Sequence, residues 1–186
     1  MGLRMARADD AAAVAALMWQ AMPEVVAFWT GSADAQTGKD FLRHWIAARE
    51  NLYSFENTLV FEEGSEVCAS ITGYDGARLH ALRAPIVAAQ SAALGRALQL
   101  ADETGAGEWY VDTVSVAPAL QGRGMGKRMI GAFADHVREQ GGSRVGLLVA
   151  FEKADARRLY ERIGFVAVGE KRLADAAYHH MVWELR

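Results

Sequence analysis

The stretch Trp109–Gly142, WYVDTVSVAPALQGRGMGKRMIGAFADHVREQGG, decides how the rest of the chain is read. Trp109 to Val116 is apolar and rich in β-branched residues and stops at Ala117-Pro118, which predicts a strand. Gln121 to Gly126 packs three glycines into a short loop. From Lys127 to Gln140, Met129, Ile130, Phe133 and Val137 recur at helical spacing and Gly141-Gly142 supplies a stop, so a helix is predicted there.

A strand, a glycine loop and a helix in that order make an anion site. The first turn of a helix carries N–H groups with no intrahelical partner, and its dipole favours negative charge. Glycines let backbone approach a ligand closely. Arg123, Lys127 and Arg128 add positive charge, so a phosphate or pyrophosphate is the expected guest. Two common phosphate loops fit poorly. A Walker loop needs glycine where Gln121 stands and a hydroxyl where Arg128 stands. A dinucleotide fingerprint needs its third glycine where Lys127 stands.

The segment does resemble the GNAT superfamily of acyl-CoA N-acyltransferases. That family's main motif, Gln/Arg-x-x-Gly-x-Gly/Ala after a strand, is matched by Gln121-Gly122-Arg123-Gly124-Met125-Gly126, preceded by Val114-Ser115-Val116-Ala117-Pro118. A second hallmark, Ala-x-x-Leu-Tyr-x-x-x-Gly-Phe, is matched by Ala156 to Phe165. The likeness is sharp from Trp109 to Gly169 and only architectural before that. It implies a mixed α/β fold: a twisted, mostly antiparallel sheet of about six or seven strands, one parallel strand pair that splays apart, and helices on both faces.

The same resemblance implies acetyl-CoA as cofactor and a primary amine, small molecule or peptide, as acceptor. In the family, the pantetheine arm lies in the splayed gap against exposed backbone, here Val114, Ser115 and Val116. Pyrophosphate meets N–H groups from Gln121, Gly122, Arg123, Gly124, Met125, Gly126 and Lys127. Dipoles and basic side chains supply the charge, so no metal is needed. Tyr160 matches the tyrosine that protonates the departing sulfur; a phenol with a pKa of about 10 suits that step. Its alternative role is to pack on the pantetheine arm. Asp112 stands four residues before Val116, where some members carry a glutamate base, and plain alternation would put it on one face with Val114 and Val116. Its alternative is a structural carboxylate, and Glu108 is a weaker candidate for the base. Many relatives have asparagine where Lys153 stands, so Lys153 either loses that cofactor contact or reaches phosphate as a charge. No Ser/His/Asp or Cys/His constellation supports a covalent intermediate, which leaves direct attack by the amine, with the Val116 N–H polarising the carbonyl.

Composition sets bounds. A chain of 186 residues is most simply one domain, here 1–186, and is long enough to bury a core. Net charge of −3 argues against a general nucleic-acid or membrane-surface binder. A single cysteine, Cys68, cannot close an internal disulfide, and no signal-peptide pattern or long apolar span is present. A cytoplasmic protein is the expectation. Cys68 reads as a structural thiol, and His80, His136, His179 and His180 show no metal-ligand spacing.

Ahead of the motif, Leu3 to Ala8 predicts a short strand, and Asp9 or Asp10 caps a helix that Pro23 ends or kinks. Val25 to Trp29 is ambiguous, Gly31 to Gly38 reads as a loop and Asp40 to Glu50 as a helix. By the family likeness this region helps form the acceptor pocket; Phe28, Trp29 and Trp45 either line it or pack in the core. Thr58 to Phe61 and Glu66 to Tyr74 predict a hairpin. Tyr74 to Ala84 reads as irregular and Pro85 to Glu103 as a long helix that either covers the acceptor site, forms a subunit contact or packs on the sheet. After the motif, Arg144 to Ala150 predicts a strand parallel to the Trp109 strand, Asp155 to Ile163 a helix, and Phe165 to Val168 and Tyr178 to Leu185 two more strands. A homodimer fits the family. A non-catalytic acyl-CoA sensor on the same fold, and a nucleotide-phosphate enzyme, are the rival readings.

Overall fold

A computed structural model of the protein describes residues 2–173 and 176–185. Strands β1 (Gly2–Met5), β2 (Thr58–Glu63), β3 (Glu66–Asp75), β4 (Trp109–Val116), β5 (Arg144–Ala150), β6 (Val166–Leu173) and β7 (Ala176–Glu184) form one seven-stranded sheet in the order β1-β2-β3-β4-β5-β7-β6. Every neighbouring pair is antiparallel except β4 and β5. The helices are α1 (Ala11–Ala21), α2 (Pro23–Thr30), α3 (Ala35–Ala47), α4 (Leu79–Leu94), α5 (Met125–Glu139) and α6 (Ala154–Ile163).

Two apolar cores sandwich the sheet. On one face Val14, Met18, Trp29, Leu42, Ile46, Leu79, Leu82 and Ile86 from α1 to α4 meet Val60, Tyr74 and Tyr110. On the other, Met129, Ile130, Phe133 and Val137 of α5 meet Leu59, Phe61, Ile71, Val111, Val145, Leu147 and Met181. Alternation along β2 shows why: Leu59 and Phe61 point to the α5 core and Val60 to the other. Among the described residues, no single helix is long and apolar enough to cross a membrane.

Several expectations shift. Of the two readings at Pro23 the first holds, since α1 ends at Ala21, but the proline also opens a new helix as the first residue of α2, and the chain turns by 106° between the two. Val25 to Trp29 is therefore helical, with Val26 and Trp29 buried. Helix α3 begins inside the expected loop because Asp34 caps it, accepting from the Thr37 N–H at 2.7 Å.

The segment around Pro85 is corrected most. Asp75 accepts from the Ala77 N–H at 3.0 Å and opens a short 3₁₀ turn, Gly76–Arg78, that runs into α4. The helix thus starts six residues before Pro85, whose ring is tolerated inside it, and buries Leu79, Leu82 and Ile86. It ends at Gly95, in the left-handed conformation, well short of Glu103. Residues 95–108 follow as an irregular segment, tied down by side chains. Ser91 Oγ accepts from the Leu98 N–H at 3.1 Å, and buried Arg83 donates to Ala101 O at 3.0 Å and to Asp102 at 2.6 Å.

Candidate active site

The parallel pairing of β4 with β5 runs only from Trp109↔Val145 to Val111↔Leu147. Beyond Val111, β4 stays paired to β3 as far as Ala69↔Val116, while β5 pairs on its far side with β7 as far as Ala150↔Tyr178. The two strands therefore part, leaving one edge of β4 without a ladder partner among the described residues.

Hydrogen-bond alternation says which groups line that edge. The Ala117 N–H donates to Cys68 O at 2.8 Å, so Ala117 and Cys68 form a closely bonded pair. Two residues earlier, Ser115 bonds towards β3 opposite Ser70, whereas Val116 and Val114 turn their N–H and C=O the other way, into the gap. Gln121 donates from Nε2 to Val116 O at 2.9 Å, tying the glycine loop to the end of this edge. Of the three residues expected to offer backbone, Val114 and Val116 face the gap. Ser115 spends its backbone on β3, and its buried Oγ has no hydrogen-bond partner among the described residues.

The loop closes over the gap's end. Gly122 and Gly124 have φ of 71° and 78°, values that disfavour any side chain with a Cβ. Gly124 is also the N-cap of α5, and it provides no capping side chain, so among the described residues the N–H groups of Met125, Gly126 and Lys127 at the helix start have no side-chain cap. A Cβ added at Gly122, Gly124 or Gly126 would meet nothing within 4 Å, which marks open space over this turn. Arg123 and Lys127 are exposed beside it, whereas the Arg128 guanidinium lies 4.5 Å from the centre of the Phe61 ring. Lys153, exposed at the start of α6, adds a further cation on the β5 side of the gap. The arrangement fits a pyrophosphate at the helix start and an extended amide-bearing arm along Val114 and Val116.

Tyr160 projects from α6 and stacks edge-on to Phe165, ring centres 5.8 Å apart, at the margin of the α5 core. Burial raises its pKa above the usual phenol value, which keeps the proton on oxygen at neutral pH.

Asp112 sits differently from the simple alternating expectation. Opposite Thr72 and Gly73 of β3 stand Thr113 and Val111, so Asp112 is the extra residue of a β-bulge. The bulge reverses the parity: Val114 and Val116 face the α5 core, while Asp112 and Thr113 both face the α1–α4 side. There Asp112 accepts from Thr113 Oγ1 at 2.8 Å and lies beside the Tyr74 hydroxyl. Part of its surface stays accessible, yet protein closes round the carboxylate, and burial raises its pKa above the usual carboxylate range. Glu108 is already committed: it holds His180 Nε2 at 2.9 Å and the Thr104 hydroxyl at 2.7 Å, and packs against Gly146. Trp29 and Trp45 are core residues at 2% and 8% exposure, and Phe28, at 38%, is the aromatic left open.

Glu103 escapes a reading of the sequence. It lies 3.4 Å from the Tyr74 hydroxyl and faces Asp112, and burial raises its pKa too. Only the end of α4 at Gly95 frees this segment to fold back, and the Schellman-type glycine was the one local signal for it.

The acetyltransferase (GNAT) family model matches residues 16–165, spanning the open edge, the glycine loop and Tyr160. The chain belongs to the GNAT acetyltransferase family. The family's acetyl donor is acetyl-CoA. Among similar proteins, a mycothiol acetyltransferase of Beutenbergia cavernae is 45% identical over 62 residues, 33% of this chain and 20% of that protein. The N-alpha-acetyltransferase RimI of Mycobacterium tuberculosis is 40% identical over 65 residues, 35% of this chain and 39% of that one. The chain thus aligns with well under half the length of either relative. In fold, a crystal structure described as an acetyltransferase superposes with a TM-score of 0.81 at 26% identity over 100% of both chains. An N-acetyltransferase from Staphylococcus aureus Mu50 does so with 0.79 at 19% identity, over 98% of this chain and 100% of that one.

Proposed function

We propose that this GNAT chain, as one unit, transfers an acetyl group from acetyl-CoA to a primary amine by direct attack. The observation that carries the proposal is the unpaired edge of β4 beyond Val111, ending at the uncapped start of α5. Acetyl-CoA supplies a thioester, an acyl donor activated enough for an amine to attack.

The residues divide the work. Val114 and Val116 align the arm by their outward backbone groups, and the Val116 N–H polarises the reacting carbonyl. Gly122 to Lys127, with Gln121, Arg123 and Lys153, hold the phosphates. Asp112 accepts the proton of the incoming ammonium, directly or through water, from the opposite face of the sheet. Tyr160 gives its proton to the departing sulfur and recovers, through water, the one left on the new amide nitrogen. The raised pKa of each suits its task, a base that holds its proton weakly acidic and an acid that stays protonated.

The acceptor class is a cationic amine. Glu24, Glu103 and Glu152 gather around Tyr178 on the Asp112 side, a field that favours an ammonium over an anion. A cytoplasmic setting agrees with the lone Cys68. A homodimer is supported by the edge strand β6, where Val166 and Val168 are 64% and 60% exposed; sedimentation velocity tests it.

The deciding experiment measures free thiol release from acetyl-CoA with panels of small amines, amino acids and peptide N-termini, for wild type and Tyr160→Phe. Amine-dependent release that falls in the variant is expected. Tight CoA binding with no release for any amine would instead make the chain an acyl-CoA sensor.

A further inference from the structure

The Tyr74 hydroxyl is within reach of two carboxylates from distant parts of the chain. It lies 3.4 Å from Glu103 Oε2 and also beside Asp112. Glu103 comes from the 95–108 segment and Asp112 from the bulge of β4, and among the described residues neither forms a salt bridge. The Arg83 guanidinium of α4 favours ionisation of Glu103, but it is 8% exposed and already donates to Asp102 at 2.6 Å and to Ala101 O. Also turned to the pair, among the described residues, are Tyr53 before β2, Tyr110 of β4, Tyr178 of β7 and Asp102 in the same segment. Three of these are phenols, neutral at physiological pH, and the fourth is an acid already paired with Arg83. Two like charges in such a poorly solvated space do not both ionise.

The segment that delivers Glu103 is built to hold it there. Lys171 Nζ of β6 donates to Asp102 O at 3.1 Å, Thr104 donates to Glu108 at 2.7 Å, and the Gly76 N–H donates to Glu108 O at 2.9 Å. Gly76 packs so closely on Thr104 and Gly105 that a side chain there would displace them. Fixed points thus stand on both sides of Glu103.

We propose that Glu103 is a positioning residue for Asp112: the two carboxylates share one proton across the Tyr74 hydroxyl and present a single negative charge to the incoming ammonium. This rests on Asp112 as the base. The ammonium binds beside the singly charged pair and gives it one proton, leaving a neutral pair and a free amine. The amine forms the new bond to carbon as the carbon–sulfur bond breaks, and Tyr160 protonates the sulfur. The proton still carried by the new amide nitrogen returns to the Tyr160 oxygen through water, and the pair releases its extra proton to solvent.

Carboxyl-carbon NMR titration of ¹³C-labelled protein tests the pairing without any acceptor. In wild type, Asp112 and Glu103 are expected to titrate in two steps with common midpoints. In Glu103→Gln, Asp112 is expected to titrate in one step, on the order of one pH unit lower. Asp112→Asn gives the reciprocal measurement on Glu103, should the first variant fold poorly, and Glu103→Asp is expected to restore two steps. An Asp112 midpoint unmoved in Glu103→Gln, or a Glu103 midpoint unmoved in Asp112→Asn, overturns the pairing. The acid limb of kcat/KM, with the most active amine of the panel, is expected to move in the same direction in Glu103→Gln, and a limb that stays put overturns the positioning role. Full activity in Asp112→Asn, with the coupled titration still present in wild type, would instead remove Asp112 as base while the pair itself stood.

Discussion

The Gln121 side chain reaches back five residues to donate to Val116 O at 2.9 Å, so the first residue of the glycine loop and the last of the open strand are one hydrogen-bonded unit. The bond occupies the carbonyl at the end of the gap and leaves the Val116 N–H free. A bond of this kind contributes about 1 kcal/mol net. Gln121→Ala is therefore expected to weaken CoA binding by roughly three- to tenfold, by calorimetry, with the melting temperature almost unchanged. Affinity equal to wild type would separate the loop from the strand.

Gly124, at φ 78°, both turns the chain into α5 and keeps the helix start bare. Alanine there costs about 1–2 kcal/mol of backbone strain unless the turn rearranges. Rearrangement would turn the N–H groups of Met125 to Lys127 away from phosphate. Gly124→Ala is expected to raise the dissociation constant for CoA at least tenfold, while that for dephosphorylated pantetheine changes little.

Tyr160 has protein around its ring and no hydrogen-bond partner for its hydroxyl among the described residues. Removing that hydroxyl deletes a proton donor but little packing. Tyr160→Phe is expected to lower kcat by about two orders of magnitude, a value typical of general acid loss, at nearly constant CoA affinity. A loss confined to KM would assign Tyr160 to packing on the arm.

Asp112 links activity to stability in a direction that can be worked out. Its pKa is raised by burial above the unfolded value of about 3.9. Below that value the carboxyl is protonated in both states and its contribution is fully present; it is lost as pH rises through the folded pKa. Asp112→Asn is expected to melt with wild type near pH 4 and several degrees above it at pH 8, as calorimetry would show, while amine transfer collapses. Equal melting at both values would mean the carboxylate is well solvated.

Asp10 behaves in the opposite sense. Its bonds from Arg4, at 2.7 and 2.9 Å, and from the Arg7 N–H hold its pKa below the usual range. That stabilisation is present above about pH 3.9 and is lost as pH falls through the depressed folded value. Asp10→Asn is expected to melt below wild type at pH 7, with the gap closing as pH falls through that depressed value. A gap independent of pH would point to lost geometry rather than lost charge.

Much of this was legible from local chemistry. The strand, glycine loop and helix of residues 109–140 are fixed by β-branched residues, positive-φ glycines and apolar spacing that act within a few residues of one another. The parallel partner Arg144–Ala150 follows from the helix that must lie between two parallel strands. The loop could be read from its own glycines, whereas Tyr160 could be named only through the resemblance of Ala156 to Phe165 to the family's second motif. The tertiary structure decided three other matters. The bulge that puts Asp112 and Thr113 on one face is a mismatch of register between β3 and β4, visible only when both strands are paired. The point where β4 and β5 part is set by β5 continuing with β7, a strand some thirty residues later in the chain. The meeting of Glu103 with Asp112 and Tyr74 needs α4 to stop at Gly95 and the following segment to be pinned by Arg83 and Lys171. Local sequence sets backbone conformation, but charges interact through space, and only the closed fold says which ones are neighbours.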